Sequence, residues 1–341
     1  MTVDPELAGL MRHVAGARSI AELLADPSGL DRLEAFCGGL VPYQAPDVRI
    51  RTVAAPGPNG PVPIRIYGGQ AAGGSASGAG PSDGGPDDGG LPALVWMHGG
   101  GFSHGDLDMR EADQLARELA ARTGGLVLSV DYRLAGGGVH FPVPHEDVVA
   151  AWLWAVENAA ELGADPLALS LGGASAGGNL AVGAALYLKD SGRHLPAKLV
   201  LAYPFLHGEL PSPDASGAPD MNGLPPVLRF TDDDCRAMVE NYIGGPLSMA
   251  SSYAMPGYAD LAGLPPAAIL AAEYDDLRFS SEQFVAGLRA AGVPVEYRLE
   301  PGATHGYLNH SAGLGVVRRS LQFLAGQLAR TREPAERPLG A

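Results

Sequence analysis

A serine between two glycines lies in the stretch of the chain best suited to covalent chemistry. The motif Gly-x-Ser-x-Gly at residues 173–177 follows an apolar run at 167–171 and precedes small apolar residues at helical spacing. The pattern predicts a strand, a tight turn with Ser175 at its tip, and a helix that begins behind the exposed hydroxyl. The glycines lack the Cβ atoms that would collide in such a turn. Because the chain contains 48 glycines, the motif alone is equally compatible with a glycine-rich helix start.

Three consecutive glycines form a second candidate element. They stand in His98-Gly99-Gly100-Gly101-Phe102, directly after the apolar run 91–97. Backbone N–H groups in such a loop are bare and can stabilise the negative charge that develops during acyl transfer. A phosphate-binding loop is the competing interpretation, but the Lys-Ser/Thr pair that such a loop requires does not follow.

An imidazole and a carboxylate are needed to activate a serine hydroxyl. Asp275 and His305 each follow a predicted strand late in the chain. The chain order Ser175, Asp275, His305 is that of the α/β-hydrolases. Asp276 and Glu273 stay open as alternatives to Asp275, since a shift of one residue in register would exchange them.

Strands and helices alternate around these motifs. Apolar runs predict strands at 91–97, 125–130, 167–171, 199–203, 267–272 and 295–299, and helical periodicity predicts helices at 111–123, 145–162, 176–189, 281–291 and 314–329. The alternation predicts an α/β protein with a mostly parallel central sheet covered by helices on both faces. Two alternating stretches, 48–53 and 62–67, predict an antiparallel hairpin at a sheet edge. Reactive residues of such sheets lie in loops beyond the carboxyl ends of the strands.

The remaining segments predict a cap and an insertion. Residues 1–45 are amphipathic and helical in pattern, and we expect an N-terminal cap segment there. Residues 46–341 then form the α/β-hydrolase domain. Residues 205–262 interrupt the strand–helix rhythm and predict a second cap segment. The stretch 68–90 is almost entirely Gly, Ala, Ser, Pro and Asp, a composition that predicts a disordered insertion.

Composition excludes several classes of function. The chain has 341 residues, 46% of them hydrophobic, and a net charge of −15, which argues against nucleic acid or an anionic membrane surface as a partner. We find no apolar run of spanning length and no basic, apolar leader at the N-terminus. Two cysteines are too few for a disulfide framework. We therefore expect a cytoplasmic protein.

Taken together, the motifs resemble a known family. Five motifs are similar to those of the hormone-sensitive-lipase-like esterases, the bacterial family IV carboxylesterases. They are His98-Gly99-Gly100-Gly101-Phe102, Asp131-Tyr132-Arg133-Leu134-Ala135, the serine motif with Gly178-Asn179-Leu180, Asp275-x-Leu277-Arg278 and His305-Gly306. The resemblance extends from about residue 47 to residue 330, with all motifs in order.

The resemblance implies the roles of the site residues. Ser175 would be the nucleophile, His305 the general base and then acid, and Asp275 the orienting carboxylate. The oxyanion hole would be formed by the backbone N–H groups of Gly100, Gly101 and Ala176. The implied activity is hydrolysis of short-to-medium acyl esters or small aromatic esters through an acyl-enzyme, without a cofactor or a metal. The partner would be a small-molecule ester, and a homodimer is compatible with the chain.

Other residues are predicted to support or line the site. We expect Asp131, Tyr132, Arg133 and Glu146 to form a buried network that braces the glycine loop. Phe102, Tyr203 and Tyr274 are candidates for the pocket lining.

The sequence departs from the family pattern near the site. Ala174 stands where the family usually has Asp, Gly136–Gly138 replace a Pro-Glu type sequence, and Asp276 replaces the usual proline. A second carboxylate at residue 276 is expected to perturb the surroundings of His305.

Two alternative functions use the same residues or the same scaffold. One keeps the triad but changes the bond or the acceptor, as in an amidase, a formamidase or a biosynthetic acyltransferase. The other is a ligand-binding receptor on a hydrolase scaffold, in which a triad member is usually lost; here none is.

Overall fold

Eight strands form one sheet in the computed structural model, which describes residues 2–38, 42–69, 90–212 and 218–330. The strands are β1 (Ile50–Ala55), β2 (Val62–Gly68), β3 (Leu91–Met97), β4 (Leu126–Val130), β5 (Ala164–Ala174), β6 (Lys198–Ala202), β7 (Ala267–Tyr274) and β8 (Val295–Thr304). Their spatial order is β1-β2-β4-β3-β5-β6-β7-β8. The pairs β1–β2 and β2–β4 are antiparallel, and every other pair is parallel. The predicted parallel sheet and its antiparallel edge hairpin are confirmed.

Helices cover both faces of this sheet. They are α1 (Pro5–Leu10), α2 (Ile20–Ala25), α3 (Gly29–Gly38), α4 (Asp113–Thr123), α5 (Val143–Glu157), α6 (Ala159–Leu162), α7 (Ala176–Asp190), α8 (Asp232–Ile243), α9 (Arg278–Ala290) and α10 (Gly315–Ala329). Short 3₁₀ turns lie at Met11–His13, Pro226–Leu228, Leu247–Met249, Pro256–Tyr258 and Tyr307–Asn309. None of the described helices combines the length and the hydropathy of a membrane-spanning segment.

Successive residues of β3 show how the sheet is buried on both sides. Val95 packs into one hydrophobic cluster, which includes side chains of α5, α7 and α9. Its neighbours Leu94 and Trp96 point the other way, into a second cluster with α4 and α10. Because alternate side chains of a strand face opposite sides, a strand covered on both faces has a continuous apolar run. This explains why continuous apolar runs located the central strands.

Several element boundaries differ from the predictions. β8 runs to Thr304 rather than ending at 299, although it contains Pro301 and Gly302, and β5 covers Ala164–Ala174 rather than 167–171. Helix α4 begins at Asp113 and α9 at Arg278. The extension of β8 has a physical reason, since its last residue pairs with the end of β7 past an irregularity in register.

Two predictions about segments stay untested. The predicted disordered insertion, 68–90, falls mostly on residues 70–89, which lie outside the described residues; Gly68 ends β2. The division into cap segments at 1–45 and 205–262 and a hydrolase domain also stays a prediction.

The N-terminal segment is attached to the body by burial and by hydrogen bonds. Leu7 and Leu10 are each 1% exposed and belong to the same cluster as α10. The backbone N–H of Asp4 donates to the carbonyl oxygen of Gly302 at 2.9 Å, within β8. The N–H of Gly315 donates to the Glu6 carboxylate at 2.9 Å. The segment therefore packs directly on the strand that leads to His305.

This packing predicts a stability difference between two leucines of the segment. Leu10→Ala leaves a cavity in a closed cluster and should lower the free energy of unfolding by about 2–5 kcal/mol. Leu24→Ala is the matched control, because Leu24 is 47% exposed and its truncation should cost about 0.5 kcal/mol or less. Urea unfolding followed by circular dichroism measures both; equal losses would contradict the docking of the segment.

Candidate active site

The turn between β5 and α7 places Ser175 in a strained conformation. Ser175 has φ 51° and ψ −117°, a region that residues with a Cβ rarely adopt. The strain is held by the surrounding backbone, since the Ser175 N–H donates to the carbonyl of Ala202 at 2.9 Å. A Cβ at Gly173 would lie 2.4 Å from the Gly177 carbonyl carbon, and one at Gly177 would lie 2.3 Å from the Met97 carbonyl oxygen. Both glycines of the motif are therefore required by close packing.

The pairing of β7 with β8 brings the other two groups to this turn. Tyr274 is paired with Thr304, so the residues that follow, Asp275 and His305, leave the sheet side by side. His305 Nδ1 lies 2.8 Å from Asp275 Oδ2, and His305 Nε2 lies 2.9 Å from the hydroxyl oxygen of Ser175. The structure thus brings these three predicted residues into one hydrogen-bonded row, which can move a proton from the serine to the imidazole.

The two alternative carboxylates point elsewhere. Glu273 accepts a hydrogen bond from the Gly302 N–H at 2.8 Å, and Asp276 pairs with Arg229. The second oxygen of Asp275 accepts from the Leu277 N–H at 2.8 Å, which fixes the carboxylate against the imidazole.

His305 is almost enclosed, with 8% of its side chain exposed. Burial acts to lower the pKa of His305, but the negative charge and hydrogen bond of Asp275 outweigh it, helped by Glu111 and Asp276. The net result raises the pKa of His305 above the ordinary histidine value. The carboxylates therefore favour the imidazolium that forms when the serine loses its proton.

The glycine loop presents its backbone at the same edge of the sheet. Gly100 and Gly101 have φ of 117° and 58°, and a Cβ at Gly100 would lie 2.0 Å from the His104 carbonyl oxygen. Among the residues that the structure describes, none accepts a hydrogen bond from the N–H of Gly100, Gly101 or Ala176. These donors are available to an oxygen atom beside Ser175.

A buried glutamate, which the sequence did not single out, ties this loop to the histidine. Glu111 is 2% exposed, and its carboxylate accepts from the Gly99 N–H at 2.7 Å and from the Tyr203 hydroxyl at 2.7 Å. The Tyr203 ring meets the His305 ring edge-on with 5.0 Å between centroids. No pattern in the sequence marks Glu111, because it lies in the turn just before the amphipathic helix α4 and belongs to none of the motifs.

The predicted bracing network is present in a modified form. The Tyr132 hydroxyl donates to the His98 carbonyl at 2.9 Å and so holds the glycine loop. Arg133 pairs with the fully buried Asp147 rather than with Glu146, whose carboxylate accepts from Asn59 at 2.7 Å. The prediction of Glu146 as a network member was therefore wrong, and the next residue of α5, Asp147, takes that place.

The predicted pocket residues are all buried. Phe102 is fully buried and stacks on Tyr242 of α8 with ring centroids 4.0 Å apart, while Tyr203 is 1% and Tyr274 4% exposed. Their contact with substrate stays a prediction. Two side chains that the sequence did not single out also lie at the site: the Phe230 ring centroid lies 4.7 Å from that of His305, and a Cβ at Gly101 would meet Met238 Sδ at 2.8 Å.

No group of three or more His, Cys, Asp or Glu side chains in the described ranges is arranged to hold a metal ion.

Several known esterases are similar to this chain in sequence and in structure. A family model described as an alpha/beta hydrolase fold matches residues 94–309. The carboxylesterase NlhH of Mycobacterium tuberculosis is 37% identical over 246 residues, which are 68% of this chain and 74% of the relative. An acetyl esterase of Salmonella paratyphi A is 29% identical over 82% of this chain and 79% of its own. A solved structure of a bacterial heroin esterase superposes with a TM-score of 0.75 and 32% identity, and covers 97% of this chain and 98% of its own.

The close packing at the serine turn predicts opposite effects for two glycine substitutions. Gly177→Ala places a Cβ against backbone oxygen and should destabilise the protein by about 3 kcal/mol or more. Gly326→Ala, in α10, meets no atom within 4 Å and should stabilise it by about 0.5–1 kcal/mol, since alanine is the better helix former. Thermal or urea unfolding measures the change in the free energy of unfolding for both variants. If Gly177→Ala left it unchanged, the turn would have space for a Cβ and the packing argument would be wrong.

Proposed function

Since the chain belongs to the hormone-sensitive-lipase-like carboxylesterases of the α/β-hydrolase superfamily, we propose that Ser175, His305 and Asp275 carry out ester hydrolysis through an acyl-enzyme. One observation carries these assignments: the serine, imidazole and carboxylate form a continuous row with contacts of 2.9 and 2.8 Å. The proposed oxyanion hole consists of the N–H groups of Gly100, Gly101 and Ala176.

In the acylation step, His305 Nε2 takes the proton of Ser175 as its oxygen attacks the ester carbonyl carbon. The carbonyl oxygen becomes an oxyanion beside the bare N–H groups, where each preorganised donor is worth about 10²–10³ in rate. His305 then gives the proton to the leaving alkoxide oxygen, and the C–O bond breaks. The alcohol departs, and the acyl group stays on Ser175.

In the deacylation step, the same imidazole removes a proton from water, which attacks the acyl-enzyme carbonyl. The second tetrahedral intermediate collapses, His305 returns the proton to Ser175, and the acid is released. Asp275 keeps its charge throughout and stabilises the imidazolium. The overall change is one ester and one water to one acid and one alcohol.

Small esters are the proposed substrates, with a short-to-medium acyl group or a small aromatic part. An acetyl esterase and a heroin esterase are among the similar proteins, and acetyl is a short acyl group. No observation favours an amidase, an acyltransferase or a receptor. The proposed location is the cytoplasm, supported by Cys37 and Cys235, which are both free thiols. A homodimer stays a prediction.

Removal of the nucleophile tests the assignment directly. Ser175→Ala should lower kcat/KM for p-nitrophenyl butyrate by about 10⁴-fold or more, because the acyl-enzyme can no longer form. A fluorophosphonate probe should label the wild-type protein at Ser175 and leave the variant unlabelled. Circular dichroism of the variant serves as the folding control. Turnover or labelling that survives in Ser175→Ala would refute the proposed nucleophile.

The carboxylates around His305 predict the pH dependence. His305 accepts a proton only when neutral, so activity is lost as pH falls through the pKa of this imidazole. Because that pKa is raised, the acidic limb of kcat/KM should lie above pH 6.5, the ordinary value. Steady-state rates between pH 5 and 9 measure the limb. NMR titration of His305 in Ser175→Ala assigns it, and a limb below 6.5 would contradict the electrostatic argument.

A further inference from the structure

An ion pair joins the loop that carries Asp275 to the residues that lead into α8. We call these residues, 218–231, the pre-α8 segment. The Asp276 carboxylate accepts two hydrogen bonds from the Arg229 guanidinium, Nε to Oδ2 at 2.9 Å and Nη2 to Oδ1 at 3.0 Å. It also accepts the backbone N–H of Phe230 at 2.8 Å. One carboxylate thus fixes both a side chain and the main chain of the same segment.

Arg229 makes one more contact that stiffens the segment. Its Nη1 donates to the Met221 carbonyl at 3.2 Å, so the guanidinium spans the segment from residue 221 to residue 229. The Asp276 side chain is 15% exposed and the Arg229 side chain 34%. A bidentate guanidinium–carboxylate pair that is partly shielded from water sets orientation as well as position. The pair is therefore suited to hold the neighbouring Phe230 in one place.

Phe230 is the side chain that this pair places at the reacting groups. Its ring meets the His305 imidazole edge-on, with 4.7 Å between centroids and 71° between planes. Tyr203 also touches the imidazole, but it is 1% exposed and its hydroxyl is bound to Glu111. Phe230 is only partly buried, so it keeps surface that another molecule can contact.

The chemistry of the relay decides which part of an ester meets this ring. His305 Nε2 must protonate the leaving oxygen, so that oxygen comes within hydrogen-bond distance of the imidazole. The group attached to the leaving oxygen is the alcohol part, and it must pass beside whatever packs against His305. The acyl part, in contrast, is bonded to the carbonyl carbon held between Ser175 and the glycine loop.

We propose that Phe230 is a specificity-determining residue that favours esters of aromatic alcohols, and that Asp276 and Arg229 are positioning residues that hold it against His305. This inference rests on the proposed roles of Ser175 and His305 and adds to them the recognition of the leaving group. An aromatic alcohol can pack on the free part of the Phe230 ring, whereas a short alkyl alcohol gains little from it.

The test compares two acetates that share an acyl group and have alcohols of similar basicity, benzyl acetate and ethyl acetate. Phe230→Ala should lower the benzyl-to-ethyl ratio of kcat/KM by about 3- to 10-fold, the range expected for one aromatic pair. Arg229→Met and Asp276→Asn should lower the ratio in the same direction. Arg229→Lys keeps the charge but loses the bidentate geometry, so its benzyl-to-ethyl ratio should lie between that of the wild type and that of Arg229→Met.

The matched control is another ion pair of the same region. Arg236 of α8 lies 3.9 Å from Glu209, and both side chains are well exposed. Arg236→Gln should leave the ratio unchanged. If Arg229→Met does not fold, as judged by circular dichroism, Asp276→Asn and Arg229→Lys carry the same test.

A double-mutant cycle shows whether the pair acts through the ring. In the Phe230→Ala background, Arg229→Met should lower the ratio no further, because the aromatic ring that Arg229 positions is already absent. A ratio that stays unchanged in Arg229→Met and Asp276→Asn would overturn the inference. The inference would also be overturned if these variants lowered kcat/KM equally for both esters, or if Arg229→Met lowered the benzyl-to-ethyl ratio as much in the Phe230→Ala background as in the wild type.

Failure of this inference is distinguishable from failure of the proposed function. If the wild-type protein hydrolyses neither ester and resists the fluorophosphonate probe, the proposed role of Ser175 fails. If the wild type hydrolyses both and is labelled, and the ratios do not respond to the variants, only the role of Phe230 and its ion pair is refuted.

Discussion

Strand register is the constraint on which the proposed relay depends. Ser175 lies at the carboxyl end of the central strand β5 because Met97 pairs with Gly173. His305 meets Asp275 because Tyr274 pairs with Thr304. A slip of one residue would turn alternate side chains to the opposite face and separate the groups. Both faces of the sheet are buried under helices, so such a slip would also expose apolar side chains to water. The core therefore enforces the geometry of the site.

The chemistry of His305 follows from where charge is placed around it. Asp275 acts by direct contact, while Glu111 acts from behind Tyr203, whose hydroxyl it binds. Glu111 also holds the Gly99 N–H, so one buried carboxylate links the glycine loop to the packing around the imidazole. The expected effect of Asp276 on His305 is present as a small contribution: its charge adds to the rise in the pKa of His305, although the carboxylate itself pairs with Arg229. The loop can hold this second carboxylate without placing it in the relay.

Local patterns predicted the parts of the site that are encoded locally. The serine turn, the glycine loop and the strand ends before Asp275 and His305 each follow from a few adjacent residues. The sequence did not predict interactions between residues that are far apart along the chain. Arg229 and Asp276 are 47 residues apart, and nothing in the irregular stretch between β6 and α8 shows which residue the arginine meets. The end of β8 was missed for a related reason: Pro301 and Gly302 disfavour a strand locally, and pairing with β7 overrides them.

The way in which the pre-α8 segment is attached bears on how sharply it can define a substrate. Apolar contacts are non-directional, so a segment held by them alone can shift along a surface at little cost. Asp276 instead binds a guanidinium and the backbone N–H of the next residue, which fixes the direction of the chain where it enters α8. Thr231 then caps that helix in a capping box with Asp234. The position of Phe230 is thus determined from both sides, by the ion pair before it and by the helix start after it. A ring fixed in this way can discriminate between leaving groups without any change in the catalytic groups themselves.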